Sequence, residues 1–252
     1  MSNQATIEQM NALRLWGMKA SFSKYIESNA LMEAQELLAQ VVEAEYLHRN
    51  NAKIERLLRA AKFRYTAQIA DVDFLTPRGL DKALVLKLSA GHLMQTKENL
   101  IITGATGIGK SFIASAIGHQ ACRLGYKTLY FNLTKLFHQL SKAKADETYF
   151  KLIQKIEKQD LLILDDFGLK PLDQLQRQAL LEIIEDRHQR KATIITSQFP
   201  VEKWHAIIGE NAVADAILDR LVHQAHRIQL KGNSMRRKNV QPTTPEINTQ
   251  NS

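Results

Sequence analysis

One short segment has the residue types and spacing of a phosphate-binding loop. Residues 104–111 read GATGIGKS, with glycines at the first and sixth positions and a Lys-Ser pair at the end. Small residues let backbone N–H groups curl around phosphate oxygens, and a following helix adds the positive end of its dipole. Lys110 would then reach the β- and γ-phosphates, and the Ser111 hydroxyl would bind Mg²⁺. The segment predicts a site for a nucleoside triphosphate.

The sequence on either side of this loop supports the prediction. The apolar residues 100–102 precede the loop and suit a buried strand, while residues 112–117 have the composition of a helix. The predicted nucleotide-binding residues are Gly104, Ala105, Thr106, Gly107, Ile108, Gly109, Lys110, Ser111 and Phe112.

Two adjacent carboxylates end a second apolar run. Residues 161–164 (LLIL) are followed by Asp165 and Asp166, 55 residues after Lys110. At the carboxyl end of a strand, Asp165 can hold Mg²⁺ directly or through water. Asp166 could orient or deprotonate the water that attacks the γ-phosphate. These residues predict the catalytic half of the site.

A third run, residues 192–198 (ATIITSQ), also ends in polar side chains. In a parallel sheet this end opens towards the same crevice as the other strands. Ser197 or Gln198 would therefore touch the γ-phosphate or the lytic water, with Ser197 as the first choice. The alternative for either residue is a strand that simply ends in a polar turn.

Periodicity over the rest of the chain predicts the elements that position these residues. Short apolar runs separated by helical stretches indicate βαβ units, and hence an α/β fold with a five-stranded parallel sheet between helices. The predicted strands are 99–103, 127–133, 161–165, 192–197 and 226–230, and the predicted helices are 110–124, 134–144, 148–158, 175–190 and 212–222.

The first 66 residues predict a small all-α domain with one basic helix face. On a continuous helix, Arg49, Lys53, Arg56 and Arg64 would share an arc of about 80°, and Arg59 lies in the same segment. We predict that these five residues contact DNA phosphates. The competing interpretation is a solvated helix face that binds nothing.

Composition sets the remaining boundaries. Residues 67–98 contain a Pro-Arg-Gly turn and predict a connector, residues 99–238 a P-loop core, and the polar residues 239–252 a disordered tail. The chain has 34 Lys plus Arg against 26 Asp plus Glu and a single cysteine. With neither an apolar run of about 20 residues nor a signal-peptide pattern, it predicts a cytoplasmic protein that does not enter membranes.

These motifs together resemble the AAA+ ATPases, within them the clade of helicase loaders and insertion-sequence helpers, and most closely the IstB-type ATP-binding proteins. A small basic helical region precedes one ATPase core in the same order. The resemblance also rests on segments 71–74 (DVDF), 161–168 (LLILDDFG), 193–200 (TIITSQFP), 214–221 (ADAILDRL) and 232–236 (GNSMR).

The resemblance implies roles for individual residues. Lys110 and Ser111 match the Walker A motif, Asp165 and Asp166 the Walker B motif, and Ser197 falls near the first sensor position. Many AAA+ proteins have Asp-Glu where this Walker B motif has Asp165 and Asp166, although Asp-Asp is familiar in the initiator and loader group.

The same resemblance implies roles for two further arginines. Arg220 matches the arginine that such proteins insert into a neighbouring subunit's ATP site. The alternative from its own surroundings is that it pairs with Asp215, Asp219 or a surface carboxylate. Arg236 resembles a second-sensor arginine that contacts the nucleotide. The chain after the core is, however, too short for the helical lid of many AAA+ proteins.

The resemblance thus implies an Mg²⁺-dependent ATPase that helps transposition. Its subunits would form a homo-oligomer on double-stranded DNA with ATP, remodel the DNA and recruit the transposase of the same element, and hydrolysis would reset the assembly. The main alternative is a replicative helicase loader that binds single-stranded DNA and a helicase. A small-molecule kinase with the same loop is disfavoured by the Asp-Asp pair.

Overall fold

A computed structural model of the protein describes residues 2–28 and 31–235. The predicted tail, residues 239–252, lies outside these described ranges. The chain forms two compact units that divide between Arg59 and Ala60. No helix within the described residues has both the length and the apolar character needed to cross a bilayer.

The first unit consists of helices. Helix α1 spans Asn3–Ala12, α2 spans Trp16–Ser28, and α3 spans Ala34–Ala61, so that α3 runs two residues into the second unit. At Gly17, near the start of α2, an added Cβ would lie 2.4 Å from the Ala44 carbonyl oxygen. Glycine is therefore required for α2 to lie this close to α3.

A buried carboxylate caps the start of α2. Glu45, on α3, accepts hydrogen bonds from the backbone N–H groups of Gly17 (2.7 Å) and Met18 (3.1 Å). These N–H groups have no partner within their own helix, and a negative charge there also meets the positive end of the helix dipole. Arg49 pairs with the other oxygen of Glu45 at 2.6 Å.

The second unit is built on five parallel strands in the order β2-β3-β4-β1-β5. The strands are β1 Asn99–Gly104, β2 Thr128–Asn132, β3 Leu161–Phe167, β4 Ala192–Ser197 and β5 Ala225–Leu230. The helices are α4 Lys82–Lys87, α5 Leu93–Thr96, α6 Lys110–Arg123, α7 Leu133–Ala145, α8 Tyr149–Glu157, α9 Gln174–Arg187, α10 Trp204–Ile208 and α11 Asn211–Val222. The parallel α/β class predicted from the sequence is confirmed.

Helices cover both faces of this sheet. Alternate strand residues face opposite sides, so Ile101 packs with α7 to α11 while Leu100 and Ile102 pack with α4 to α6. Strands buried on both faces need continuous apolar runs, which is what the sequence provides.

The sequence predicted that residues 67–98 form a simple connector, but in the structure this segment contains several short helical elements. They are a 3₁₀ turn (Ile69–Asp71), α4, a π-helical turn (Leu88–His92) and α5. Val85, Leu88 and Leu93 are fully buried in the core with the sheet and α6. Helical spacing over such short elements is too brief to be read from the sequence, so the segment was mistaken for a linker.

Candidate nucleotide site

The phosphate-binding loop joins β1 to α6 in the predicted way. Gly104, Gly107 and Gly109 all have positive φ, which lets the loop fold tightly between Thr103 and the first residue of α6. The Lys110 ammonium lies inside the loop and donates to the carbonyl oxygens of Gly104 (2.7 Å) and Ala105 (3.0 Å). The cation is therefore held at the centre of the loop.

A buried arginine that the sequence analysis missed supports this loop from below. Arg78 is 5% exposed and donates to the carbonyl oxygens of Ile108 (2.7 Å) and Asp73 (2.8 Å). Its guanidinium lies so close to Gly109 that an added Cβ there would meet Nη1 at 2.6 Å. Residues 76–79 predicted only a turn, and their sequence gives no signal that Arg78 points into the loop.

A β-bulge places the two acidic residues at the end of β3. Leu164 pairs with Ile195 and Phe167 with Ser197, so β3 has one extra residue between these pairs. Asp166 takes up the extra residue with φ +62°, a conformation that Asp tolerates better than most side chains. In a regular strand Asp165 and Asp166 would point to opposite faces, whereas here both reach Arg64.

Asp165 is fully buried and surrounded by donors. Its Oδ1 accepts from the hydroxyls of Ser111 (2.7 Å) and Thr196 (2.5 Å), and its Oδ2 accepts from the phenol of Tyr130. Burial and the bond to Asp165 raise the pKa of Tyr130 above its ordinary value, so this phenol stays a neutral donor. Side chains from α6, β4 and β2 thus hold one carboxylate in place.

Asp166 is more accessible and has a different electrostatic environment. Its Oδ2 accepts from the Asn132 amide at 2.9 Å, and its backbone N–H donates to Thr196 Oγ1 at 3.1 Å. Burial and the negative charge of Asp165 raise the pKa of the Asp166 carboxyl, while Arg64 and Lys110 oppose this effect. A carboxylate with a raised pKa is a better proton acceptor than an ordinary one.

The oxygen ligands that Mg²⁺ prefers come together beside the loop. Ser111 Oγ and Asp165 Oδ1 lie 2.7 Å apart, and the buried Asp165 carboxylate faces the guanidinium of Arg64 at 3.5 Å. A hydroxyl and a carboxylate are suitable ligands for the hard cation Mg²⁺. The carboxylate already attracts the positive guanidinium of Arg64, so the electrostatic environment beside it also favours a cation. The residues present therefore fit an Mg²⁺ ion.

Comparison with known proteins assigns the family. The family of IstB-like ATP binding proteins matches residues 8–243. The chain belongs to this family. It is 47% identical over 235 residues to the insertion sequence ATP-binding protein y4pL of Sinorhizobium fredii, covering 92% of this chain and 96% of that one. It is 28% identical to the insertion sequence IS21 ATP-binding protein of Pseudomonas aeruginosa, covering 81% and 77%.

Solved structures share the AAA+ fold of this IstB-like chain. DnaI superposes with a TM-score of 0.59 at 21% identity, over 70% of this chain and 94% of that one. AMPPCP-bound DnaA from Aquifex aeolicus gives 0.56 at 17% identity, over 69% and 53%. At these identities the likeness concerns the fold alone.

Within this IstB-like site, the structure favours Gln198 over Ser197. The Ser197 hydroxyl is fully buried, donates to the Phe167 carbonyl (2.8 Å) and accepts from the Phe199 N–H (3.0 Å). The Gln198 side chain instead accepts from Thr106 in the phosphate-binding loop at 3.0 Å. Strand alternation turns Ser197, the first choice from the sequence, into the core, so Gln198 is the better candidate for the sensor.

Arg64 does not belong to the predicted basic helix face. Helix α3 ends at Ala61 and Lys62 has a positive φ, so the assumption of a continuous helix to Arg64 was wrong. The Arg64 guanidinium lies 3.5 Å from Asp165 and 3.3 Å from Asp166. The other four residues predicted to contact DNA, Arg49, Lys53, Arg56 and Arg59, are exposed on α3.

Of the two arginines assigned by the family resemblance, the structure describes Arg220 but not Arg236. Arg220, near the end of α11, pairs with Glu185 at 2.8 Å and donates to the carbonyl of Ala216. Within one chain Arg220 therefore pairs with a surface carboxylate, as in the alternative given from the sequence. Arg236 lies outside the described residues, although Met235 just before it donates to the Gly107 carbonyl at 2.9 Å.

Asp166 also lines a cavity of about 550 Å³ between α7 and the segment after β3. Phe137, Leu169 and Leu175 contribute apolar lining, and Lys144 contributes a cation. Because no residue of the phosphate-binding loop lines it, the loop and not this cavity defines the nucleotide site.

Proposed function

We propose that the protein is an Mg²⁺-dependent ATPase that helps an insertion sequence to transpose. The observation that carries the proposal is the bulge in β3, because it brings two carboxylates of unequal burial to the phosphate-binding loop. One is buried and bonded to Ser111, and the other is partly accessible. Phosphoryl transfer to water needs a cation ligand and a proton acceptor at such positions.

The residues would divide the work of hydrolysis. Lys110 and the backbone N–H groups of the loop bind the β- and γ-phosphates, and Gln198 orients the γ-phosphate or the attacking water. Asp166 accepts the proton of that water as its oxygen bonds to the γ-phosphorus and the bond to ADP breaks. Ser111 and Asp165 would hold Mg²⁺, which neutralises charge on the phosphates.

DNA is the proposed macromolecular partner, and the first unit offers a basic groove. Arg49, Lys53 and Arg56 line this groove together with Arg14 and Trp16, and Trp16 is 48% exposed. Arginine and lysine side chains along one groove suit a phosphate backbone, and their contacts carry little base specificity.

Assembly would couple the ATP sites of neighbouring subunits. Arg220 is 28% exposed and held by one carboxylate, so it can exchange Glu185 for a phosphate in a neighbouring site. An arginine supplied in trans stabilises charge that develops on the transferred phosphoryl group. Hydrolysis would then follow assembly on DNA. Recruitment of the element's transposase is proposed from the relatives, which are named for insertion sequences.

A helicase loader is the second candidate. The superposition on DnaI and on the DnaC helicase loader (TM-score 0.53, 20% identity) supports the shared fold. The sequence relatives favour the transposition helper, since the match to the insertion sequence proteins spans most of both chains.

Sedimentation with nucleic acid tests the two candidates. The purified chain is mixed with duplex or single-stranded DNA and ATP, ADP or no nucleotide, beside Lys110→Ala and Asp166→Asn. We expect ATP-dependent assemblies on duplex, none with Lys110→Ala, and assemblies that persist with Asp166→Asn because hydrolysis is lost by about 10²-fold or more, on the order of a general base contribution. Assembly on single strands alone would favour the loader.

A further inference from the structure

Arg64 occupies an unusual place for a residue in a strongly basic segment. Its Nη1 lies 3.3 Å from Asp166 Oδ2 and 3.5 Å from Asp165 Oδ2, so one guanidinium bridges both Walker B carboxylates. It approaches from the residues just after α3, about 100 residues away in sequence. The family resemblance assigned no role to this position.

Aromatic neighbours on both sides position Arg64. The Phe63 ring packs against the His119 ring of α6, with the centroids 4.4 Å apart and the planes tilted by 34°. It also packs against Gly118, where an added Cβ would lie 2.5 Å from the Phe63 ring. Tyr65 contacts Phe112, also on α6, at 6.2 Å between ring centroids. Two anchors on the helix that begins in the phosphate-binding loop therefore fix the backbone of Arg64.

The charges around Arg64 explain why it lies there. Asp165 and Asp166 are adjacent carboxylates, and one of them is fully buried. Lys110 contributes positive charge near Asp166, and Arg64 contacts both carboxylates directly. Without a positive group, two such carboxylates would repel each other strongly.

We propose that Arg64 acts as a built-in countercation that competes with Mg²⁺ for the Walker B carboxylates. This inference rests on the proposed Mg²⁺-ATP site. The guanidinium holds Asp165 and Asp166 in their functional positions while Mg²⁺ is absent and releases Asp165 when Mg²⁺ binds. Its side chain is 42% exposed, which leaves it room to move away. Arg64 is thus a positioning residue that sets how much Mg²⁺ the site needs.

The test measures Mg²⁺ dependence of nucleotide binding without using hydrolysis. Binding of a fluorescent ATP analogue is titrated with Mg²⁺ for the wild type, Arg64→Ala, Arg64→Lys and the surface control Arg190→Ala. We expect Arg64→Ala to need about three- to tenfold less Mg²⁺, in keeping with the modest strength of partly exposed ion pairs. Arg64→Lys should remain near wild type because it keeps the charge, and Arg190→Ala should be unchanged.

Thermal unfolding gives an independent readout. In EDTA without nucleotide, Arg64→Ala should melt about 1–4 °C below wild type because the carboxylates have lost their countercation. Saturating Mg²⁺ and ATP should remove most of that difference, whereas a merely structural arginine would leave it in place.

The outcomes separate this inference from the proposed function. If the wild type binds no ATP analogue at any Mg²⁺ concentration, the ATP site itself is wrong. If the wild type binds but Arg64→Ala needs the same or more Mg²⁺, or Arg64→Lys matches Arg64→Ala, the countercation role is wrong and the ATP site stands.

Discussion

Single side chains in the site have roles that follow from burial and hydrogen bonding. Lys110 is held inside the loop, Asp165 is buried among donors, and Asp166 is accessible with a raised pKa. The same reasoning separates Ser197 from Gln198, since a hydroxyl that already bonds to two backbone groups is not available to a phosphate.

Replacing these two neighbours tests that separation. Gln198→Ala should lower ATP turnover about tenfold or more while leaving unfolding unchanged, because its amide contacts the loop but not the core. Ser197→Ala should lower the free energy of unfolding by about 1–3 kcal/mol, since it leaves buried backbone groups without a partner. Turnover and urea unfolding are measured on both variants. Loss of turnover in Ser197→Ala with intact stability would restore Ser197 as the sensor.

Helices and strands add constraints that no single residue shows. The bulge in β3 sets the direction of both carboxylates, and Arg78 ties the segment before α4 to the phosphate-binding loop. In the first unit, Glu45 ties the start of α2 to α3.

Glu45 makes the helical unit sensitive to acid. Burial favours the neutral carboxyl, yet bonds from Arg49, Met18 and Gly17 outweigh it and hold the pKa below its ordinary value near 4.5. A carboxyl with a lowered pKa stabilises the fold above its unfolded-state pKa, and this contribution is lost as the pH falls through the lower folded-state value. Above about pH 5, Glu45→Gln should therefore be less stable than wild type by about 1–2 kcal/mol.

Thermal unfolding of both proteins from about pH 7 to about pH 3 measures this effect. The difference between wild type and Glu45→Gln should shrink below about pH 4.5 as Glu45 becomes protonated. An unchanged difference at the acid end of the range would show that Glu45 acts through shape and not through charge. Glu43→Gln, on the exposed side of α3, serves as the control.

For the molecule as a whole, the central question is whether the ATP site is completed by a second copy. Arg220 is paired with Glu185 inside one chain, and this pair supplies a matched control. Arg220→Ala and Glu185→Ala both break the ion pair, but only the first removes the guanidinium.

If Arg220 acts in trans, Arg220→Ala should keep ATP binding and lose at least about 10³-fold of the turnover stimulated by DNA. Glu185→Ala should keep that turnover or raise it, because the arginine is then released from its partner. ATPase assays with and without duplex DNA measure both. Equal losses in the two variants would instead assign a structural role to the pair.

The basic groove of the first unit makes a second prediction at this scale. Lys53→Ala with Arg56→Ala should weaken DNA binding for every sequence and lower the slope of log K against log salt by up to about 0.9 for each phosphate that the variant no longer neutralises. Arg49 is left in place because it also stabilises Glu45. The charge-matched control is Lys151→Ala with Lys155→Ala, on α8 of the second unit. If the wild type and both double variants gave the same slope of log K against log salt, the groove would be excluded as the DNA-binding surface.

The amino-acid sequence alone determined the parallel α/β class, the five strands and the two phosphate-site motifs. These features depend on local patterns: apolar runs of strand length, glycines that allow a tight loop, and carboxylates at a strand end. The predicted ranges of β1 and β4 agree with the structure to within one residue.

Only the tertiary structure decided which segments that are distant in sequence contact one another. It placed β4 between β1 and β3, turned Ser197 into the core and packed residues 67–98 against the sheet. It also brought Arg64 to carboxylates about 100 residues away. Periodicity predicts whether a segment is helical or extended. It does not predict which residues a side chain contacts when that side chain lies beyond the end of the helix. Arg64 was assigned to a helix face that ends three residues before it, and only the packing of Phe63 and Tyr65 on α6 shows its destination.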